Sequence, residues 1–251
     1  MTAARPANPD TSASETPDGL APETPGGAAP DAPVRSVPDA PAAVLAAAKE
    51  MLAKGLVEGT AGNISARQAD GTIVITPSSV DYDAMTLDDL VTIDPAGEVV
   101  AAAAGRSPSS EKPLHLACYE AFADVGAVIH SHAVYATMFA VARQPIPACI
   151  DEFAMYVGGD VRVSEYAASG SEAMAANVVA ALEGRGAALI ANHGMVVVGP
   201  TPAAALHITA LVERTAKIVW GARQLGPAHE IPAEVNQSFA GVYQYLRANP
   251  R

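Results

Sequence analysis

From Pro41 onward, apolar and polar positions alternate in short patches that define individual elements. Val44, Leu45, Ala48, Leu52 and Leu56 recur at helical spacing and the run ends near Gly55, which predicts a first amphipathic helix. Residues 64–67 and 72–76 read as short strands joined by Gln68-Ala69-Asp70-Gly71, where Asp-Gly is a hairpin turn signal. Residues 91–94 and 98–101 repeat the arrangement around Pro95-Ala96-Gly97. Connections this short join antiparallel neighbours, so a meandering, at least partly antiparallel sheet is expected. Pro113 sits near the start of a helix reaching to about Ala123, with Ser109 or Ser110 available as its cap. A strand at 126–132 and a helix at 134–142 follow, then a helix near 171–182. Strands at 187–191 and 195–198 flank Asn192-His193-Gly194, and Thr201-Pro202 opens a long helix. This alternation of strands and helices indicates an α/β or α+β domain, without a solenoid repeat.

The first forty residues are different. They are mostly Ala, Pro, Thr, Ser, Asp and Glu without an aromatic residue, a mixture that buries too little apolar surface to offset the entropy of ordering. Residues 1–40 are therefore expected to be a disordered tail and 41–251 the folded domain. The tail lacks the basic start and apolar stretch of an export signal, and its scattered acidic residues are unlike a transit peptide. The longest apolar runs fall far short of the roughly 20 residues a membrane span needs. Two cysteines, Cys118 and Cys149, fit buried thiols in a reducing compartment, and the cytoplasm is expected. A formal net charge of -12 repels nucleic acid and anionic membranes, so neither is expected as a partner. A phosphate ligand would have to be held by local hydrogen-bond donors.

His130 and His132 lie two apart at the end of the apolar run Ala127-Val128-Ile129, and period-two geometry puts both rings on one face. Such a pair can grip one divalent metal ion, with a third nitrogen and a carboxylate completing a site that keeps an exchangeable position. The same pair also fits two polar residues at a strand end. His193, in a tight turn between apolar strands, must face a cleft or have a partner. His115 and His207 fall inside predicted helices and His229 in a Pro-flanked loop, where satisfied or solvated rings are expected. His115 stands one helical turn from Glu111. Gly59-Thr60-Ala61-Gly62-Asn63 allows backbone N–H groups to converge on an anion. Thr76-Pro77-Ser78-Ser79 and Ser107-Pro108-Ser109-Ser110 add hydroxyl donors, the second before a helix start that favours phosphate. Together these loops imply a small anionic ligand.

The segments Glu58-Gly59-Thr60-Ala61-Gly62-Asn63-Ile64-Ser65, Ile75-Thr76-Pro77-Ser78, Ser109-Ser110-Glu111, Val128-Ile129-His130-Ser131-His132-Ala133 and Asn192-His193-Gly194 occur in an order that resembles the class II aldolase/adducin family. The similarity runs from about Pro41 to Tyr245. It implies a three-layer α/β/α domain around a mostly antiparallel sheet, assembled as a homotetramer with active sites between subunits. His130, His132 and His193 match the family's metal ligands, expected to hold zinc, with manganese or cobalt as alternatives. Glu111 matches the carboxylate that is a fourth ligand at rest and an acid/base when substrate binds. Gly62, Asn63, Ser78, Ser79, Ser109 and Ser110 match the phosphate-contacting positions. The implied reaction cleaves a ketose 1-phosphate into dihydroxyacetone phosphate and an aldehyde through a metal-stabilised enediolate.

Departures from the family pattern leave parts of this open. The segment after Ile146-Pro147-Ala148 lacks the tyrosine that a neighbouring subunit contributes; Asp151, Glu152 or Tyr156 takes its place. Tyr243 and Tyr245 both resemble the mobile C-terminal tyrosine, and packing is an equal account of either. Rival readings are a sugar-phosphate 4-epimerase, a sugar-acid phosphate decarboxylase or a non-catalytic adducin-like module. The epimerase has aspartate where Glu111 stands, and its further aspartate corresponds to Met155. The module would lack the three histidines.

Overall fold

In the computed structural model, which describes residues 34–249, the first helix, α1 (Ala40–Ala53), buries Val44, Ala47, Ala48 and Met51 on one side. Pro41 sits in its first turn, where a missing N–H costs nothing. Residues 1–33 of the expected tail lie outside the described residues. Of the remainder, Val37 and Ala40 are buried, and the Arg35 and Val37 N–H groups donate to Ala123 and Arg67. Packing thus reaches back to at least Arg35, earlier than Pro41.

The strands β1 (Asn63–Arg67) and β2 (Ile73–Ile75) form the expected hairpin, with Gly71 at a φ of 86° in its turn. Next come β3 (Val91–Ile93), β4 (Val99–Ala101), α2 (Lys112–Ala121), β5 (Ala127–Ser131) and α3 (Val134–Ala142). They are followed by α4 (Asp151–Val157), β6 (Arg162–Val163), α5 (Glu172–Leu182), β7 (Ala187–Ile190) and β8 (Gly194–Gly199). Two helices, α6 (Pro202–Leu225) and α7 (Ala233–Ala248), end the described chain. The strands make one eight-stranded sheet in the order β4-β3-β2-β1-β5-β8-β7-β6. Only β6 and β7 pair in parallel, through the α5 crossover.

Side chains alternate across this sheet as a two-residue period demands. On β5, Ala127 and Ile129 join the core under α1, α3, α4 and α6, while Val128 joins the core under α2 and α5. On β8, Met195 and Val197 face the first layer, and Val196 and Val198 the second. Helices on both faces of a mostly antiparallel sheet make the expected three-layer α/β/α domain.

One local expectation fails. Neither Ser109 nor Ser110 caps α2; Glu111 holds the cap position, and Ser109 Oγ instead accepts the Glu111 backbone N–H at 3.2 Å. No helix of the described residues is long and apolar enough to cross a membrane. Cys118 and Cys149 are both free thiols.

Candidate metal centre

The period-two pattern of β5 directs His130 toward the α2/α5 side of the sheet, and His132 follows on the same face just beyond the strand. β8 pairs antiparallel with β5 and aligns Met195 with Ser131, so the turn before β8 delivers His193 to the same sheet end. Asn192 adopts a left-handed φ of 58° there, and its side-chain oxygen accepts from Arg143 Nε at 2.9 Å. The outcome is a cluster in which His130, His132 and His193 each offer a ligand nitrogen within 4.8 Å of the others. Their ring centroids are 4.7–4.8 Å apart.

Glu111 arrives from the start of α2. Its Oε2 lies 3.1 Å from His130 Nε2, and its Oε1 lies 3.5 Å from His193 Nε2. The carboxylate also accepts from Asn63 Nδ2 at 3.0 Å and Ser169 Oγ at 2.9 Å.

The donor chemistry suits a divalent cation. His130 Nδ1 lies 2.9 Å from the Met195 carbonyl, which can only accept, so the proton sits on Nδ1 and the Nε2 lone pair faces the cluster. Burial pushes the His130 imidazole down to about 3, and burial together with His193 also lowers His132. Neutral rings with free lone pairs are the form that binds metal. Burial works to raise the Glu111 pKa, but the charges of His130 and His193 and the Asn63 and Ser169 hydrogen bonds prevail and lower it. A neutral imidazole exerts no charge, so the histidine part of this depression belongs only to protonated rings.

The anion-contact positions gather beside this cluster. Asn63 opens β1 opposite His130. Gly62, at a φ of 83°, has no room for a side chain: a Cβ would meet the His130 carbonyl oxygen at 2.7 Å. The two serine loops are tied together by Ser78 N–H to Ser107 O at 2.9 Å and Ser109 N–H to Thr76 O at 3.2 Å. Ser78, Ser79 and Ser110 are exposed, whereas Ser109 is buried.

The other histidines stay away from the cluster. His115 is buried in α2, His207 stacks edge-on with Tyr156 at 5.1 Å, and His229 lies in an exposed loop. Glu152 pairs with Arg214 at 2.5 Å, and Tyr243 is buried with its hydroxyl accepting from Arg247 at 3.0 Å. Within the chain, Tyr243 therefore packs α7, at the sheet end opposite the imidazoles. A cavity of about 470 Å³ at that far end contains Tyr156, His207 and Tyr243, and its charged pair Asp124 and Arg247 is mutually satisfied.

Ser169 and Ser65 escape the sequence reading, whereas the spacing of His115 from Glu111 is part of it. Ser169 comes from a loop with no periodic pattern. The Ser65 and His115 contacts did carry a signal, since Ser65 is two residues from Asn63 on a strand and His115 is four from Glu111 on a helix.

A layered domain that brings three imidazoles and a carboxylate to one end of an antiparallel sheet is of the class II aldolase type, a class of metal-dependent lyases of carbohydrate metabolism. This chain belongs to that family: the Class II Aldolase and Adducin N-terminal domain matches residues 42–220. It is 39% identical over 188 residues to the 5-methylthioribulose-1-phosphate/5-deoxyribulose-1-phosphate aldolase of Rhodospirillum rubrum, covering 75% of this chain and 83% of that one. It is 37% identical over 147 residues to an Escherichia coli L-fuculose phosphate aldolase, covering 59% of this chain and 66% of the relative. Among solved structures, an L-fuculose 1-phosphate aldolase matches with a TM-score of 0.78 at 35% identity, over 84% of this chain and 98% of that chain.

Proposed function

We propose that this protein cleaves a ketose 1-phosphate into dihydroxyacetone phosphate and an aldehyde, with a 5-deoxy- or 5-methylthio-pentulose phosphate as the sugar. The convergence of His130, His132, His193 and Glu111 supports the reaction class, and the Rhodospirillum rubrum relative supports the sugar. His130, His132 and His193 would hold a divalent metal, with zinc the first choice and manganese or cobalt the alternatives. When bound, the metal supplies a Lewis acid that polarises the ketose carbonyl and takes up the negative charge that cleavage develops.

The remaining work belongs to side chains. The hydroxyl on the carbon that becomes the aldehyde gives up its proton to a base on the aldehyde side of the site. The carbon–carbon bond breaks with its electron pair left on the phosphate-bearing fragment, and Glu111 delivers a proton to that fragment's carbon. In the condensation direction the ionised carboxylate removes the same proton. Release from the Asn63 and Ser169 hydrogen bonds would raise its basicity toward the operating pH. Gly62, Asn63, Ser78, Ser79, Ser109 and Ser110 would hold the phosphate with neutral donors, in keeping with a chain of net charge -12.

The protein would act as a homotetramer. Val134, Met138 and Val141 form a stripe along α3, immediately after His132, and are 54%, 40% and 55% exposed. A second copy covering that stripe would bring a neighbour's residues to the site, including the counterpart of the missing tyrosine.

The test is a panel of five- and six-carbon ketose 1-phosphates with metal-loaded enzyme, read by reduction of released dihydroxyacetone phosphate. Cleavage with preference for the 5-deoxypentulose phosphates is expected. Epimerised products without carbon–carbon cleavage, or no release of dihydroxyacetone phosphate from any sugar of the panel, would reject the proposal.

A further inference from the structure

Beneath the site, α2 lays three polar residues at four-residue intervals over β1: Glu111, His115 and Tyr119. Asn63 and Ser65 lie two apart on β1 and face up to meet them. His115 is fully buried, with Nε2 2.5 Å from Asn63 Oδ1 and Nδ1 2.6 Å from Ser65 Oγ. Ser65 Oγ lies 2.8 Å from the Tyr119 hydroxyl. Asn63 Nδ2 reaches Glu111 Oε2 at 3.0 Å.

These contacts admit one arrangement of protons. An ionised carboxylate only accepts, so Asn63 must turn its NH2 toward Glu111 and its carbonyl oxygen toward His115. His115 Nε2 must then carry the proton, leaving Nδ1 bare to accept from the Ser65 hydroxyl. Ser65 has a single proton, so Tyr119 O–H donates to Ser65. Burial agrees with this order, since it keeps the imidazole neutral and the phenol protonated.

We infer that His115 is a positioning residue that locks the Asn63 amide in the orientation presenting its NH2 group to Glu111 and the adjoining anion pocket. The reverse amide would set two oxygens against each other at that 3.0 Å contact. It would also require the opposite His115 tautomer, with Nδ1–H donating to Ser65 and a bare Nε2 accepting from Asn63, so the proton on Nε2 and the amide orientation hold each other in place. The network thus fixes where the acid/base carboxylate rests without touching substrate.

Two substitutions separate this role from mere packing. In His115→Gln the side-chain amide nitrogen can take the place of Nε2 and donate to Asn63; in His115→Asn it reaches only the Nδ1 position. The Gln variant should keep kcat within about threefold, and the Asn variant should lose about tenfold or more, a range consistent with one misdirected buried hydrogen bond. Both should retain wild-type metal content and melt within a few degrees of each other. Equal kcat for the two, or an Asn deficit matched by loss of metal or of folded protein, would overturn the inference.

This kinetic arm rests on the aldolase reading; a second arm does not. In 15N-histidine NMR of the wild-type protein, the signal absent from His115→Gln should be a neutral ring protonated on Nε2 from pH 6 to 8. A ring protonated on Nδ1, or a charged one, would overturn the inference even if no sugar phosphate were cleaved.

Discussion

Gly194 shows how closely β8 approaches the imidazoles. A Cβ there would lie 2.4 Å from the Ser131 carbonyl oxygen, 3.1 Å from His132 Cδ2 and 3.4 Å from His130 Cε1. The backbone oxygen cannot yield without moving β5, so Gly194→Ala should separate the strands beneath the two rings. Overpacking of this kind costs about 1–3 kcal/mol. A lower unfolding midpoint and at least about tenfold weaker metal retention against a chelator are expected; unchanged values would refute the close-approach argument. His115 makes a second prediction. Burial, despite the nearby Glu111 charge, holds its pKa down to about 4, against about 6.5 for a solvated imidazole. Between those values the unfolded chain binds a proton and the folded chain does not. Stability is therefore intact above pH 6.5 and is lost as pH falls toward 4, by up to about 3 kcal/mol from this residue. Denaturant unfolding of metal-free protein across that range checks it, and a flat profile would contradict it. The His130 and His132 pair was legible because a strand's two-residue period fixes its face. Ser169 was not, because nothing in a loop sequence states which carboxylate it will reach.

At the scale of elements, α3 depends on a distant helix. Ala133 at its cap position has no side-chain acceptor, so the first N–H groups need another partner. Glu213 on α6 supplies it: Oε1 accepts from Tyr135 N–H at 2.9 Å and Oε2 from Ala136 N–H at 2.8 Å. Because α3 follows His132 directly, this clamp also sets the direction in which the chain leaves the site. Glu213→Ala should cost about 1–2 kcal/mol, the upper range for losing a helix cap, and equilibrium unfolding would measure it. A change under about 0.3 kcal/mol would show the clamp to be ornamental. An alanine at the cap position is plain from the sequence, but the acceptor for the Tyr135 N–H, 78 residues away, is not. The short α4 and the largely exposed α7, where Tyr243 is the one buried residue, had too weak a pattern to be predicted. The central hairpins and α6 had strong punctuation from Asp-Gly and Thr-Pro and were foreseen.

For the whole molecule, the three-layer architecture follows from strands that are apolar on both faces, such as Ala127, Val128 and Ile129 of β5. Assembly is a separate matter, which the monomer fold does not dictate. If the α3 stripe joins subunits, Met138→Lys should shift the protein toward smaller species in light scattering and reduce cleavage. A monodisperse, unchanged assembly would exclude α3 from the interface. The central claim, however, is that three imidazoles far apart in sequence hold one catalytic metal beside Glu111. Metal content and ketose 1-phosphate cleavage measured together on wild type, His132→Ala and Glu111→Gln test it most directly. The account predicts about one divalent ion per wild-type chain and loss of both metal and activity in His132→Ala. Glu111→Gln should keep substantial metal while cleavage falls about 10²–10⁴-fold, as expected for a lost acid/base. Full cleavage by a metal-free His132→Ala protein would contradict it.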